Sequence, residues 1–330
     1  MRAWVVESAG VLRQESRPEP AYGTDELLVR VEASGVCRTD LHVLDGELPV
    51  HRPRVVPGHE VVGTVVEAGA SVDGQWIGAR VGVPWLRRAC GTCPQCTRGR
   101  ENLCPYSLYT GWDADGGYAD LVTVPAAFAY RLAPDLDPVT TAPLLCAGII
   151  GYRALRLSDL PPSGNLGIYG FGGSAHITAQ AAIAEGARVH VLTRSANARR
   201  LALDLGCASA QSSDEGPPVP LDAAILFAPV GELVPVVLAA LAPGGTLSVA
   251  GIHVSDVPAL NYQRHLFFEK TVRSVTANTR EDGRALLALA RDRRFAVEAQ
   301  RYEFAAADRA LDNLRAGRVN GAAVLVLNGQ

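Results

Sequence analysis

Two kinds of hydrophobic spacing divide the chain. Up to about residue 146, apolar and polar positions alternate in short runs. Leu27, Val29 and Val31 interleave with Leu28, Arg30 and Glu32, the period-two pattern of a half-buried strand. Segments 61–67 and 121–125 read the same way. Glycine and proline punctuate this half often, among them Pro53, Pro57, Gly58, Gly69, Gly74, Gly78 and Gly82, so it reads as a β-rich domain with long loops. Beyond about residue 148 the pattern changes. A short apolar run, 166–169, enters Gly170-Phe171-Gly172-Gly173, and a helical stretch follows to Glu185, where Gly186 can cap it. A strand (187–192), a helix (196–205), a strand (222–228), a helix (231–241) and a strand (246–250) come next. Strands alternating with helices predict a parallel, doubly wound α/β sheet. Helices at 282–293 and 306–316 and a strand at 322–327 complete the expectation.

Composition narrows the class without naming it. The chain has 330 residues, 48% hydrophobic and 20% charged, which supports two domains with a sizeable core. A net charge of −3 offers no basic surface for nucleic acid or membrane lipid. No apolar run reaches the length of a membrane span, and the first residues, Met1-Arg2-Ala3-Trp4-Val5-Val6-Glu7, carry no signal-peptide core. A cytoplasmic setting is expected, where clustered cysteines hold metal more often than they pair.

Four of the seven cysteines, Cys90, Cys93, Cys96 and Cys104, follow the spacing C-x2-C-x2-C-x7-C. Four thiols in so short a loop point to a tetrahedral metal, usually zinc; two disulfides or four inert thiols are the alternative. Three further candidate ligands stand apart. Cys37 lies in Gly-Val-Cys-Arg-Thr-Asp-Leu-His, His59 in Pro-Gly-His-Glu, and Cys146 in Leu-Leu-Cys-Ala-Gly. A Cys2His set leaves one zinc position open for water or substrate.

The glycine turn carries a second chemistry. Gly170-Phe171-Gly172-Gly173-Ser174-Ala175 fits G-x-G-x-x-G/A between a strand and a helix. Gly170 permits the tight turn, Gly172 lets a pyrophosphate approach the backbone, and Ala175 still allows close helix–strand packing. The pyrophosphate would rest on the helix N-terminus. The next strand ends in Leu192-Thr193-Arg194-Ser195, with Arg199 and Arg200 a turn later and no carboxylate for a ribose hydroxyl. A guanidinium there suits a 2′-phosphate, so NADP is favoured over NAD.

Taken in order, GVCRTDLH, PGHE, the four-cysteine lobe, LLCAGIIGYRAL, the glycine turn and the βα repeat resemble the zinc-dependent medium-chain alcohol dehydrogenases over essentially the whole chain. The resemblance implies a GroES-like β-barrel catalytic domain, 1–147 and 278–330, with a structural-zinc lobe at about 88–105, and a Rossmann domain at 148–277. It implies two zinc ions per subunit: a catalytic one on Cys37, His59 and Cys146, and a structural one on the four lobe cysteines. Glu60 would stand behind the catalytic metal, and Asp40 would orient His59 through its other ring nitrogen. Thr39 would bond the substrate hydroxyl, and His42 would pass its proton to solvent. Arg38, Gly173, Thr193, Arg194 and Arg199 would join the glycine turn in holding the cofactor. Leu44, Trp85, Leu86 and Trp112 would line the substrate pocket. The implied reaction is reversible hydride transfer between a primary or secondary alcohol and NAD(P), in a homodimer or homotetramer. The alternatives are a polyol or other zinc reductase of this superfamily, or a non-catalytic zinc- and nucleotide-binding relative. Polyol enzymes often replace the third ligand with glutamate, whereas this chain has Cys146.

Overall fold

The computed structural model describes residues 1–327, so the expected end of the first domain, 328–330, lies outside the described residues. The chain separates into two compact units. The first comprises Met1–Cys146, Ala277–Arg284 and the residues from Val297 onward; the second comprises Ala147–Thr276 and Ala285–Ala296.

The first unit opens with a hairpin, β1 (Arg2–Ser8) and β2 (Val11–Ser16). The long strand β3 (Glu26–Val36) leads into α1 (Arg38–Asp45). Then come β4 (Val61–Ala68), β5 (Arg80–Val83), a small ribbon of β6 (Leu86–Arg88) with β7 (Leu108–Tyr109), β8 (Leu121–Pro125) and β9 (Tyr130–Arg131). A short helix, α2 (Pro138–Thr141), precedes the turn that carries Cys146.

The second unit begins with α3 (Ala147–Arg156). It continues through β10 (Asn165–Tyr169), α4 (Gly173–Ala184), β11 (Arg188–Leu192), α5 (Ala196–Asp204), β12 (Ser209–Gln211) and β13 (Leu221–Leu226). After these follow α6 (Leu233–Ala240), β14 (Leu241–Val249), α7 (Tyr262–His265) and β15 (Thr271–Ser274). Helix α8 (Arg280–Arg293) begins in the first unit and ends in the second. The chain finishes with β16 (Ala299–Glu303), α9 (Ala307–Arg315) and β17 (Ala322–Val326) in the first unit.

In the first unit seven strands form the main sheet, in the order β16-β17-β3-β4-β5-β9 with β8 also paired to β3. Among the described residues all its pairings are antiparallel except β16 with β17. The inward residues that alternation predicted, Leu27, Val29 and Val31, join Val61, Val65, Val81 and Val83 in one apolar core. The hydrophobic pattern carries no sign of β16, because only Tyr302 of Ala-Gln-Arg-Tyr-Glu is buried.

In the second unit six parallel strands run β12-β11-β10-β13-β14-β15, the doubly wound dinucleotide-binding order. β10 and β13 lie at the centre, so their side chains are buried on both faces and the sequence reads as unbroken apolar runs. Segment 285–296 groups with this unit, past the return at 278 suggested by the sequence. Gln180 of α4 supplies a physical reason: its amide donates to the Ala296 carbonyl at 3.0 Å and accepts from the Ala296 N–H at 2.7 Å. Among the described residues no helix is long and apolar enough to cross a membrane.

Ile168, fully buried in β10, tests this core. Truncation by Ile168→Ala should cost about 3 kcal/mol. Chemical denaturation should show the loss as a lowered unfolding midpoint.

Candidate metal and cofactor sites

The β3–α1 junction, the loop before β4 and the turn after α2 bring four donors together. One ligand atom each from Cys37, His59, Glu60 and Cys146 lies within 4.8 Å of the others. Cys37 caps α1, and Asp40 completes the cap by accepting the Cys37 N–H on Oδ2 at 2.9 Å. The same carboxylate accepts the Gly58 N–H and pairs with His59 Nδ1, both through Oδ1 at 3.0 Å. His59 is 1% exposed, and among the described residues its Nε2 has no hydrogen-bond partner. An orphaned, buried imidazole nitrogen beside two thiols is a donor awaiting a cation.

The electrostatics agree. The Cys146 thiol and the His59 imidazole hold the Cys37 thiol well below its ordinary range, while hydrogen bonding to Cys37 and burial push Cys146 up. Burial would lower the His59 pKa, but Asp40 and Cys37 together raise it well above the usual value. The two thiols and the imidazole thus perturb one another strongly at close range, the mark of donors gathered around a place suited to a metal ion. The residues fit zinc: two sulfurs, one nitrogen and a nearby carboxylate.

Thr39 is buried with its hydroxyl 3.8 Å from Cys37 Sγ. His42 lies further along α1, its Nδ1 paired with Glu47. Arg38, the first residue of α1, is exposed. Trp85 packs edge-on against His59, with ring centroids 4.8 Å apart. It also stacks on Tyr109 at 4.8 Å and on Trp112 at 6.0 Å, and Trp112 stacks in turn on His51 at 4.1 Å. Leu44 packs into the apolar core. Leu86 is fully buried.

The second donor set is the lobe. Cys90, Cys93, Cys96 and Cys104 also lie within 4.8 Å of one another. All four are free, and Cys90 and Cys96 Sγ are 4.0 Å apart, about twice a disulfide bond. Backbone N–H groups of Cys93, Cys96, Cys90 and Tyr106 point at lobe sulfurs at 3.3–3.5 Å. Donors from Thr92 and Cys93 pull the Cys90 pKa down to about 6, while burial pushes Cys96 up to about 12. Glu101 anchors the lobe: it binds the Arg280 guanidinium at 2.7 Å and accepts the Arg280 N–H at 2.7 Å.

The glycine turn lies between β10 and α4. Gly170 has φ +87°, and a Cβ there would stand 2.9 Å from Ala228 N, so only glycine fits. A Cβ on Gly172 would meet no protein atom within 4 Å, which leaves the front of the turn open for a ligand. Gly173 starts α4, and Ala175 is fully buried against the unit's core. Thr193 is buried at the end of β11, and Arg194 is exposed just beyond it. Arg199 is turned inward: its Nη1 donates to the Thr193 carbonyl at 2.8 Å and the Arg194 carbonyl at 2.9 Å.

Sequence reasoning missed Tyr118, Glu47, Tyr109 and His51. Tyr118 donates its hydroxyl to Asp40 Oδ2 at 3.1 Å from 78 positions away. No local spacing could reveal that partner. A parallel sheet with a phosphate-type turn, in a chain that also gathers thiols and a buried histidine, defines the zinc-containing medium-chain dehydrogenases as a class.

Comparison with known proteins narrows this. Residues 23–134 match the family model described as the alcohol dehydrogenase GroES-like domain. The chain is 58% identical to the Mycobacterium tuberculosis protein named "Probable alcohol dehydrogenase AdhA", over 99% of this chain and 97% of that one. It is 36% identical to an alcohol dehydrogenase of Geobacillus stearothermophilus, over 99% of each. Its fold superposes on a cinnamyl alcohol dehydrogenase of Sorghum bicolor with a TM-score of 0.90 at 29% identity, covering 98% and 97% of the two chains. The chain therefore belongs to the zinc-dependent medium-chain alcohol dehydrogenases and is an enzyme of that family.

Proposed function

We propose that the chain binds two zinc ions and uses NADP in preference to NAD to interconvert an alcohol with its aldehyde or ketone. The orphaned Nε2 of His59, set beside Cys37 and Cys146, carries this reading. Cys37, His59 and Cys146 hold the catalytic ion, with Glu60 beside it; the four lobe cysteines hold the structural ion. The catalytic zinc supplies a Lewis acid at the substrate oxygen. NADP, seated on the glycine turn by Gly170, Gly172, Gly173 and Ala175, supplies the hydride acceptor. Thr39 bonds the substrate hydroxyl, and His42, oriented by Glu47, passes the proton outward. The Trp85 and Trp112 rings present an apolar wall near His59, which suits an apolar alcohol. Arg194 meets the 2′-phosphate, and the inward-turned Arg199 holds the backbone that presents it. Residues 1–146, 277–284 and those from 297 serve as the catalytic domain, and 147–276 with 285–296 as the cofactor domain.

A second copy covers the edge of the parallel sheet in this reading. Among the described residues β15 pairs only with β14, and Val272 on it is exposed near Tyr262, Phe267 and Phe268 in sequence, which are exposed too. Two such edges are self-complementary across a two-fold axis.

Three measurements test these proposals. Elemental analysis should find two zinc ions per chain, and Cys37→Ala or His59→Ala should retain one while turnover falls by more than about 1,000-fold, the several kcal/mol of a lost Lewis acid. Full turnover in either variant overturns the assignment. Arg194→Asp should shift the NADP-to-NAD ratio of kcat/KM toward NAD by about tenfold or more, the worth of one charge-assisted contact. Val272→Glu should lower the sedimenting mass if the sheet edge is the contact between copies.

A further inference from the structure

Tyr118 is a fully buried tyrosine outside the proposed ligand set, on the turn that leads into β8. Its hydroxyl donates to Asp40 Oδ2 at 3.1 Å, while Asp40 Oδ1 is 3.0 Å from His59 Nδ1. The ring is fixed as tightly as the hydroxyl. A Cβ on Gly58 would stand 2.4 Å from Tyr118 Cδ1, and the Tyr118 N–H donates to the Pro57 carbonyl at 3.0 Å. The tyrosine therefore packs on the same Pro57-Gly58-His59 loop whose histidine its hydroxyl reaches through Asp40.

We infer that Tyr118 is a positioning residue for the catalytic metal: its hydroxyl fixes the Asp40 carboxylate, which fixes the ring of His59. The inference rests on the two-zinc reading above. A carboxylate bonded through Oδ1 alone to His59 and Gly58 could still rotate about its Cβ–Cγ bond. Two donors on Oδ2, the Cys37 N–H and the Tyr118 hydroxyl, remove that freedom. The Cys37 N–H belongs to the cap of α1 and moves with Asp40 itself; Tyr118 comes from a distant segment and ties the carboxylate to the barrel. Partners of this kind are worth about 10- to 100-fold in metal affinity.

The test is Tyr118→Phe, which keeps the ring against Gly58 and removes only the hydroxyl. Zinc release to a chromogenic chelator, recorded alongside residual turnover, separates the metal on which activity depends from the metal on which it does not. In the variant, the activity-linked zinc should leave about tenfold faster, and the lobe zinc at the wild-type rate. The control is Tyr130→Phe, which removes another buried tyrosine hydroxyl, one 3.4 Å from the Arg280 carbonyl. It should change neither rate. Unchanged release in Tyr118→Phe overturns the inference, as does equal acceleration of both metals or the same effect in Tyr130→Phe. A wild-type chain releasing one zinc overturns the two-metal reading itself.

Discussion

Burying a carboxylate is costly unless its acceptor sites are met. Asp40 is 1% exposed, and two backbone N–H groups, an imidazole nitrogen and a phenol surround it. These partners belong to three segments: the β3–α1 junction, the loop before β4 and the turn before β8. Leaving a buried polar group without one of its hydrogen-bond partners costs about 1–3 kcal/mol, so the three segments gain by folding together. The backbone gives way to make room. Gly58 adopts φ +97°, and Gly116 lies so close that a Cβ on it would stand 2.0 Å from the Gly58 carbonyl oxygen. Cys37 and His59 thus acquire their places from one interaction, and the barrel brings Cys146 to them.

The two donor sets show why the same element would do different work in each. In the lobe every donor is a thiol, and backbone N–H groups approach the sulfurs. Such a set would fill a tetrahedron around an ion and leave no room for a reactant, so its contribution would be to folding. The barrel set has two sulfurs and one nitrogen, with a carboxylate adjoining, Thr39 nearby and an aromatic wall beside it. Three protein ligands leave a fourth position for chemistry. The lobe nevertheless reaches beyond itself: Glu101 accepts the N–H that opens α8, so lobe geometry bears on how that helix starts.

How far this was legible in the sequence follows from the range of each interaction. The lobe cysteines stood out by their spacing alone, whereas Cys37, His59 and Cys146 were weak candidates singly and gained their roles together, from the order of motifs that resembles the family. The strand–turn–helix around Gly170 is local, and its parallel sheet followed from alternation alone. Tyr118, Glu101 with Arg280, and the Tyr109 and His51 rings that join Trp85 and Trp112 were not legible, because their partners are set by tertiary packing. Leu44 shows a related limit: an apolar residue on α1 fits a pocket wall and a core equally well in sequence, and in the structure it packs with the core. β16 was invisible because an edge strand with one buried residue carries no alternation.

The same distinction bears on cofactor choice. Three arginines follow β11, and the sequence put Arg194 first for a phosphate, with Arg199 beside it. The structure separates them. Arg199 commits one guanidinium nitrogen to the Thr193 and Arg194 carbonyls, inside the turn. Those carbonyls then point toward Arg199, which sets how the Arg194 backbone is presented. Arg194 and Arg200 remain exposed. With no carboxylate at the end of β11 to receive a ribose hydroxyl, the proposed preference for NADP would rest on those exposed cations. Under that proposal Arg199 would act on the choice through the backbone it holds, and its removal would loosen the turn without deleting the charge proposed to meet the phosphate.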